Sequence, residues 1–195
     1  MNQPKSENKR TIEIEFRSMF TKTEYDRLKI FLNKNAKDLG EDDKDVYFFL
    51  FPDKLLKVVN NISKGSAKIV LKLNRIGKGS NFEEIEIPIS QDFVEKAVEV
   101  FTKLAITDNI MHTPQTRNNY FYKGVEIALK WSPVWQYHLE LEIVVNNESK
   151  KEKAEQKIRK VADELHLRLM TEEELAKFVE KVETENKKKN PKSFS

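Results

Sequence analysis

From Ile12 to Arg17 the chain reads Ile-Glu-Ile-Glu-Phe-Arg, alternating apolar and charged side chains with a period of two. That period belongs to a β-strand with one apolar and one charged face, so Glu13, Glu15 and Arg17 share a side. The device recurs as Glu84-Ile85-Glu86-Ile87 and as Glu140-Leu141-Glu142-Ile143. Any fold for this chain must therefore place three two-carboxylate faces where water or cations can reach them. It must also cover the three aliphatic faces behind them.

The remaining segments indicate how many such strands there are. Thr21-Lys22-Thr23-Glu24 is a capping box opening a helix with Tyr25, Leu28, Phe31 and Leu32 on one stripe. The polar run 34–44 reads as a loop. Val46 to Phe51 reads as a strand stopped by Pro52-Asp53, and segments 55–60 and 67–74 flank Lys64-Gly65-Ser66 as a hairpin. Gly77-Lys78-Gly79 turns into the strand 82–89, after which Ser90 caps a helix carrying Phe93, Val94, Ala97, Val98, Phe101 and Leu104. Three strands follow at 117–123, 125–131 and 137–145. An amphipathic helix spans 149–165, and Thr171-Glu172-Glu173-Glu174 opens a last helix to about Val182.

Eight short strands, mostly sequential neighbours, with helices inserted and appended, predict an α+β fold: a closed eight-stranded antiparallel barrel with helices packed outside and a C-terminal helical segment. Helices cover the aliphatic face, so the glutamates turn inward. A barrel of that size holds side chains or one small ligand. A dry interior cannot hold so many carboxylates, because each unpaired buried charge costs several kcal/mol against a total stability of about 5–15 kcal/mol. The interior must be wet, filled with cations, or both. Arg17, Lys57, Lys68, Lys72 and Arg117 are available on matching faces. Carboxylates beside such a basic set suit a divalent cation shared with a polyphosphate.

The plainer alternative is that these faces are solvated outer faces, the ordinary polar-out pattern of antiparallel sheets. Taken singly, Lys57, Lys68 and Lys72 read as surface lysines. His138 reads as a hydrogen-bonded structural residue, and Trp131, Trp135 and Tyr137 as packing at a barrel end. The repetition of the acidic pairs weighs against the plain reading.

Composition narrows the partners. With 195 residues and 38% hydrophobic content the chain can build one sizeable core. The net charge of +3 is mild and its basic run lies in Lys187-Lys188-Lys189, which gives no basis for specific nucleic-acid binding. The chain has no cysteine, hence neither disulfide nor thiolate metal site. A polar start and no apolar run of about 18 residues argue against a signal peptide or membrane span, so a cytoplasmic protein is expected.

Glu13-Ile14-Glu15-Phe16-Arg17 resembles the Glu-x-Glu-x-Lys strand of the CYTH domains, the triphosphate tunnel metalloenzymes that include thiamine triphosphatases, inorganic triphosphatases and class IV adenylate cyclases. The segment continues into Phe20-Thr21-Lys22-Thr23-Glu24-Tyr25, which is similar to bacterial members. Further matching segments are Phe48 to Asp53, Ile69-Val70-Leu71-Lys72, Glu84-Ile85-Glu86, Thr116-Arg117 with Tyr122-Lys123-Gly124, and Leu139-Glu140-Leu141-Glu142. The resemblance implies a single domain over 11–183, between a disordered tail at 1–10 and a basic one at 184–195. It implies Mg2+ or Mn2+ held by Glu13, Glu15, Glu140 and Glu142. Phosphates would be held by Arg17, Lys57, Lys68, Lys72 and Arg117, with Glu84, Glu86 and Lys72 taking part in catalysis. The implied partner is a triphosphate-containing small molecule, with a homodimer as an allowed assembly.

Several positions depart from that pattern. Arg17 stands where the family has lysine, and Lys57-Val58-Val59-Asn60-Asn61 where it has Arg-x-Arg. Lys130 and Leu50 stand where many members have aspartate. The resemblance thus implies a hydrolase of a triphosphate phosphoanhydride (inorganic, thiamine or nucleoside). A class IV-type cyclase and a polyphosphate- or nucleotide-binding module remain as alternatives.

Overall fold

The structure, a computed structural model, describes residues 12–73 and 84–189. In chain order it contains β1 (Ile12–Met19), α1 (Lys22–Asn35), β2 (Lys37–Glu41), β3 (Lys44–Leu50), β4 (Leu55–Asn61), β5 (Ser66–Lys72) and β6 (Glu84–Ile89). Then come α2 (Val94–Lys103), β7 (Ile110–Tyr122), β8 (Val125–Trp131), β9 (His138–Val145), α3 (Lys151–Glu164) and α4 (Glu172–Lys189). Both expected capping boxes form. Thr21 and Glu24 exchange side-chain to backbone hydrogen bonds at the start of α1, and Thr171 and Glu174 do the same before α4. Lys123 and Gly124, both at positive φ, turn β7 into β8, as a two-residue hairpin requires.

All pairings are antiparallel, and the sheet runs β1-β9-β8-β7-β3-β4-β5-β6, with β2 alongside β7. The organising strand is β7. Its first half, through Gln115, pairs with β3, and its second half pairs with β8 on one edge and β2 on the other. One long strand thereby joins two curled halves.

The outer face follows the sequence. Ile14, Leu139, Leu141, Ile127 and Leu129 are fully buried under α1 and α3, which contribute Tyr25, Leu28, Leu32, Ile158 and Val161. Phe49, Val58 and Ala67 pack beneath Val94, Ala97 and Phe101 of α2.

Four expectations are corrected. Among the described residues no ladder joins β1 to β6, so the sheet is an open, curled half-barrel rather than a closed barrel. Not every helix lies outside either. Val46, Phe48, Leu55, Val59 and Val70, on the inner face of β3–β5, form one cluster with Trp135 and with Leu175, Phe178, Val179 and Val182 of α4. The two corrections share a cause, because a closed eight-stranded barrel has room for its own side chains or one small ligand but not for a helix face. Here the concave side also accommodates a helix face. The third concerns the expected loop at 34–44, which contains β2; its polar, exposed residues carry no alternation. Gly40, at φ +90, sits at the register shift between β2 and β7. Finally, α4 continues through 184–189, the expected start of the tail. The turn at Gly77-Lys78-Gly79 and the residues 1–10 lie outside the described residues.

The docking of α4 gives a direct test. Val179 is 5% exposed and shares a cluster with Trp135 and Met111, so Val179→Asp should bury an unpaired carboxylate and destabilise the chain by about 3 kcal/mol or more. Urea unfolding measures this. A change within about 0.5 kcal/mol, the range of surface substitutions, would show that α4 does not pack there.

Candidate functional site

The concave side of the half-barrel encloses a cavity of about 340 Å³ whose lining includes seven acidic and seven basic side chains. The strand registers sort these charges into rows. Glu15 of β1 lies opposite Glu142 of β9, which lies opposite Glu126 of β8, and Glu13 follows two residues along β1. Like charges directly across a ladder repel. The next row pairs Arg17 with Glu140, and the one after it runs Met19, His138, Lys130 and Arg117. One end of this wall is therefore acidic and the other basic.

The basic end is internally neutralised. Arg17 reaches Glu15 at 2.6 Å and Glu140 at 3.1 Å, while Lys130 also hydrogen-bonds to Glu140 and Arg117 stands 3.9 Å from it. Burial opposes ionisation of Glu140, but Lys130, Arg17 and Arg117 outweigh it and hold its pKa well below the usual carboxylate range. Burial lowers Lys130 to about 8, partly offset by Glu140. His138 is pushed down to about 4, by burial and then by Lys130. Its Nδ1 lies 3.0 Å from the Gln136 carbonyl oxygen; the neutral ring donates there.

The acidic end is neutralised only in part, where Arg17 reaches Glu15. Glu13 is raised to about 8 by burial and by the charges of Glu142 and Glu15. Glu142 is raised to about 7 by burial and by Glu15 and Glu126. Facing this end, Lys72 hydrogen-bonds Glu84 at 2.5 Å. Burial opposes its charge, yet Glu15, Glu84 and Glu13 keep its pKa raised. Lys68 pairs with Glu86 where both are about two-fifths exposed, at the cavity rim. Lys57 lines the cavity without a carboxylate partner among the described residues, and burial followed by the charge of Lys72 lowers it to about 7.

All the residues singled out from the sequence thus line one cavity: Glu13, Glu15, Arg17, Lys57, Lys68, Lys72, Glu84, Glu86, Arg117, Glu140 and Glu142. They do not all stand together. Glu140 belongs to the cation row rather than to the acidic cluster, whereas Glu126 completes that cluster. Glu126 shares strand parity with Lys130 in Val125-Glu126-Ile127-Ala128-Leu129-Lys130, and that alternation was its only sequence signal. Asp42 was also missed. Buried to 5% exposure, it accepts from Asn61 at 2.5 Å and pairs with Lys44 at 2.7 Å, Lys64 at 3.0 Å and Arg117 at 3.5 Å. It anchors two cavity cations from behind, and because it precedes β3 in a polar stretch no periodicity marks it.

A model of the CYTH domain family matches residues 11–178. The chain belongs to the CYTH domain family. Solved structures agree on the fold. The PH1012 protein from Pyrococcus horikoshii is 26% identical, with a TM-score of 0.65 over 80% of this chain and 91% of that one. A conserved protein from Pyrococcus furiosus is 24% identical, again with a TM-score of 0.65 over 80% and 91%. A Hippeastrum adenylyl cyclase candidate, described as having a dominant triphosphatase activity, is 14% identical with a TM-score of 0.58 over 82% and 90%. No curated protein matches the chain significantly by sequence.

The acidic end suits a hard divalent cation by its chemistry: all its donors are carboxylate oxygens, and burial together with neighbouring carboxylates raises Glu13 and Glu142. Among the described residues no three His, Asp or Glu side chains stand as a ready-made cage, so a cation bound there would have to draw the carboxylates together.

The same shifts fix a pH dependence. Glu13 and Glu142 hold their protons to about 8 and about 7 in the folded chain, against 4.5 ordinarily. The native state binds the extra protons, so the stability gained is full below about 4.5 and lost as pH rises toward 8. In the presence of a chelator the melting temperature should therefore fall between about pH 5 and pH 8, and Glu13→Gln with Glu142→Gln should flatten the fall. An equal slope in wild type and double variant would show that these carboxylates titrate normally.

Proposed function

We propose that this CYTH protein is a metal-dependent hydrolase that cleaves a phosphoanhydride bond of a triphosphate substrate within the charged cavity. The observation that carries the reading is the polarity of one wall: a row of facing carboxylates, Glu15, Glu142 and Glu126, lies one ladder step from Arg17 and two from Lys130 and Arg117. Glu13, Glu15 and Glu142, with Glu126 beside them, would hold Mg2+ or Mn2+. There a bound cation supplies Lewis-acid neutralisation of phosphate charge. Arg17, Arg117 and Lys130 face the phosphate oxygens from the next rows, and fixed cations aimed at nonbridging oxygens stabilise the spread charge of phosphoryl transfer.

Lys72 and Glu84 pair on β5 and β6, facing the acidic end. Lys72 is a cation held in place for a phosphate oxygen, and Glu84 orients it. Glu86 and Lys68, at the rim, meet the ligand on entry. Lys57 has a different part. At about 7 its amine is only partly charged near neutrality, so an arriving polyanion draws a proton onto it and completes the cation set.

Two measurements test this. With magnesium or manganese, inorganic triphosphate or a nucleoside triphosphate should release orthophosphate, and Lys72→Ala should lower kcat/KM about ten- to a hundredfold, the scale of a charged hydrogen bond. Binding without turnover under either metal would mark a binding module, and cyclic nucleotide with pyrophosphate would mark a cyclase. In calorimetry at about pH 7.5 in buffers of different ionisation heat, triphosphate binding should take up protons, and Lys57→Arg should reduce the uptake. Unchanged uptake would remove Lys57 from the phosphate site.

A further inference from the structure

The inward side of β1 changes character in steps. Glu13 and Glu15 are acidic, Arg17 is cationic and Met19 is apolar, all four lining the same cavity. Alternate residues of a strand stand about 6.8 Å apart, so each zone lies one step beyond the last. Met19 shares its ladder row with His138, Lys130 and Arg117, and the same cavity is lined by Leu175 and Phe178 of α4, which cluster with Phe48 and Trp135. Phe48 and Trp135 are buried, whereas Met19, Leu175 and Phe178 are only half-buried and keep open surface at the cavity. The Phe178 ring rests on Trp135 at a centroid distance of 5.6 Å.

An inorganic polyphosphate has nothing to place on such a wall. Its oxygens need donors, and thioether, isobutyl and phenyl groups offer none, so seating phosphate there forfeits hydration without compensation. A nucleobase seated on these three side chains fares little better, since they offer its polar edge no partner. A compact hydrocarbon group loses nothing there and gains from leaving water.

We infer that the substrate is a triphosphate ester of a small apolar alcohol, its phosphates facing the Arg17 row and its hydrocarbon group seated on Met19, Leu175 and Phe178. The inference rests on the triphosphate reading given above and adds the identity of the organic end. The wall selects substrate by hydrophobic contact and takes no part in the chemistry.

The test is equilibrium binding of dimethylallyl triphosphate, methyl triphosphate, inorganic triphosphate and adenosine triphosphate. Calorimetry and melting temperature, in magnesium and in chelator, provide readouts that need no turnover. The dimethylallyl ester has four more carbons than the methyl ester on the same charged group, so it should bind about tenfold or more tightly. It should also outcompete adenosine triphosphate. Phe178→Ala and Met19→Gln, on different elements, should each bring the dimethylallyl-to-methyl preference toward unity; as a ratio, this separates loss of the wall from loss of fold. Equal binding of the two esters, tighter binding of adenosine triphosphate, or a preference surviving in both variants would overturn the inference while leaving the triphosphate reading in place. Binding of none of the four would remove the triphosphate reading and this inference with it.

Discussion

Charge turned inward has to be balanced, and the rest of this architecture follows from how that is done. Seven acidic and seven basic side chains share one cavity. Four of the acids find cations within the protein: Glu140 among Arg17, Lys130 and Arg117, Glu15 with Arg17, Glu84 with Lys72, Glu86 with Lys68. The balance is global but not local. Three cations crowd Glu140, while Glu15, Glu142 and Glu126 lie across from one another, with Glu13 two residues along β1, and Arg17 reaches Glu15. With several kcal/mol at stake for each uncompensated ion, that imbalance persists only by proton uptake, hydration or a bound cation. The burial-raised pKa values of Glu13 and Glu142 are the first of these responses.

Lys130 illustrates how one residue redistributes the balance. Where the resemblance leads one to expect an acid, the chain has a base that hydrogen-bonds Glu140. Glu140 is thereby held among the cations, and Glu126, two ladder rows from Lys130 on the same strand, is the acid that stands across from Glu142. The acidic zone is shifted along the wall rather than lost. Asp42 performs a comparable service on the far side, fixing Lys44 and Arg117 without lining the cavity itself.

Much of this was legible in the sequence because alternation reports faces directly. The span of β8 was read without error, and the inward register of β1, β6 and β9 followed from their glutamates. Thr21 and Thr171 marked both box-capped helices because capping is a local interaction. What stayed hidden was relational. The exposed polar strand β2 exists because β7 offers it an edge, and no residue within it announces that. The amphipathic stripe of α4 shows that it packs on something but not on which face, and the open sheet follows from that choice. Glu126 and Glu140 look alike in the sequence, and only the cross-strand partners separate their roles.

An open sheet has two free edges, and free edges invite addition of a strand from another molecule. Here each is guarded differently. Along β1, the segment leading into α4 takes up the backbone: the Met170 N–H donates to the Arg17 carbonyl oxygen at 2.8 Å, and the Ser18 hydroxyl donates to the Arg168 carbonyl oxygen at 2.8 Å. Along β6, Pro88 has no N–H to offer, and the charged Glu86–Lys68 pair flanks it. That protection leaves the exposed Ile85 and Ile87 on the outer side of β6 without a continuous row of backbone donors beside them. The chain can thus keep its cavity accessible from the side and still resist edge-to-edge polymerisation, which a closed barrel avoids by having no edge.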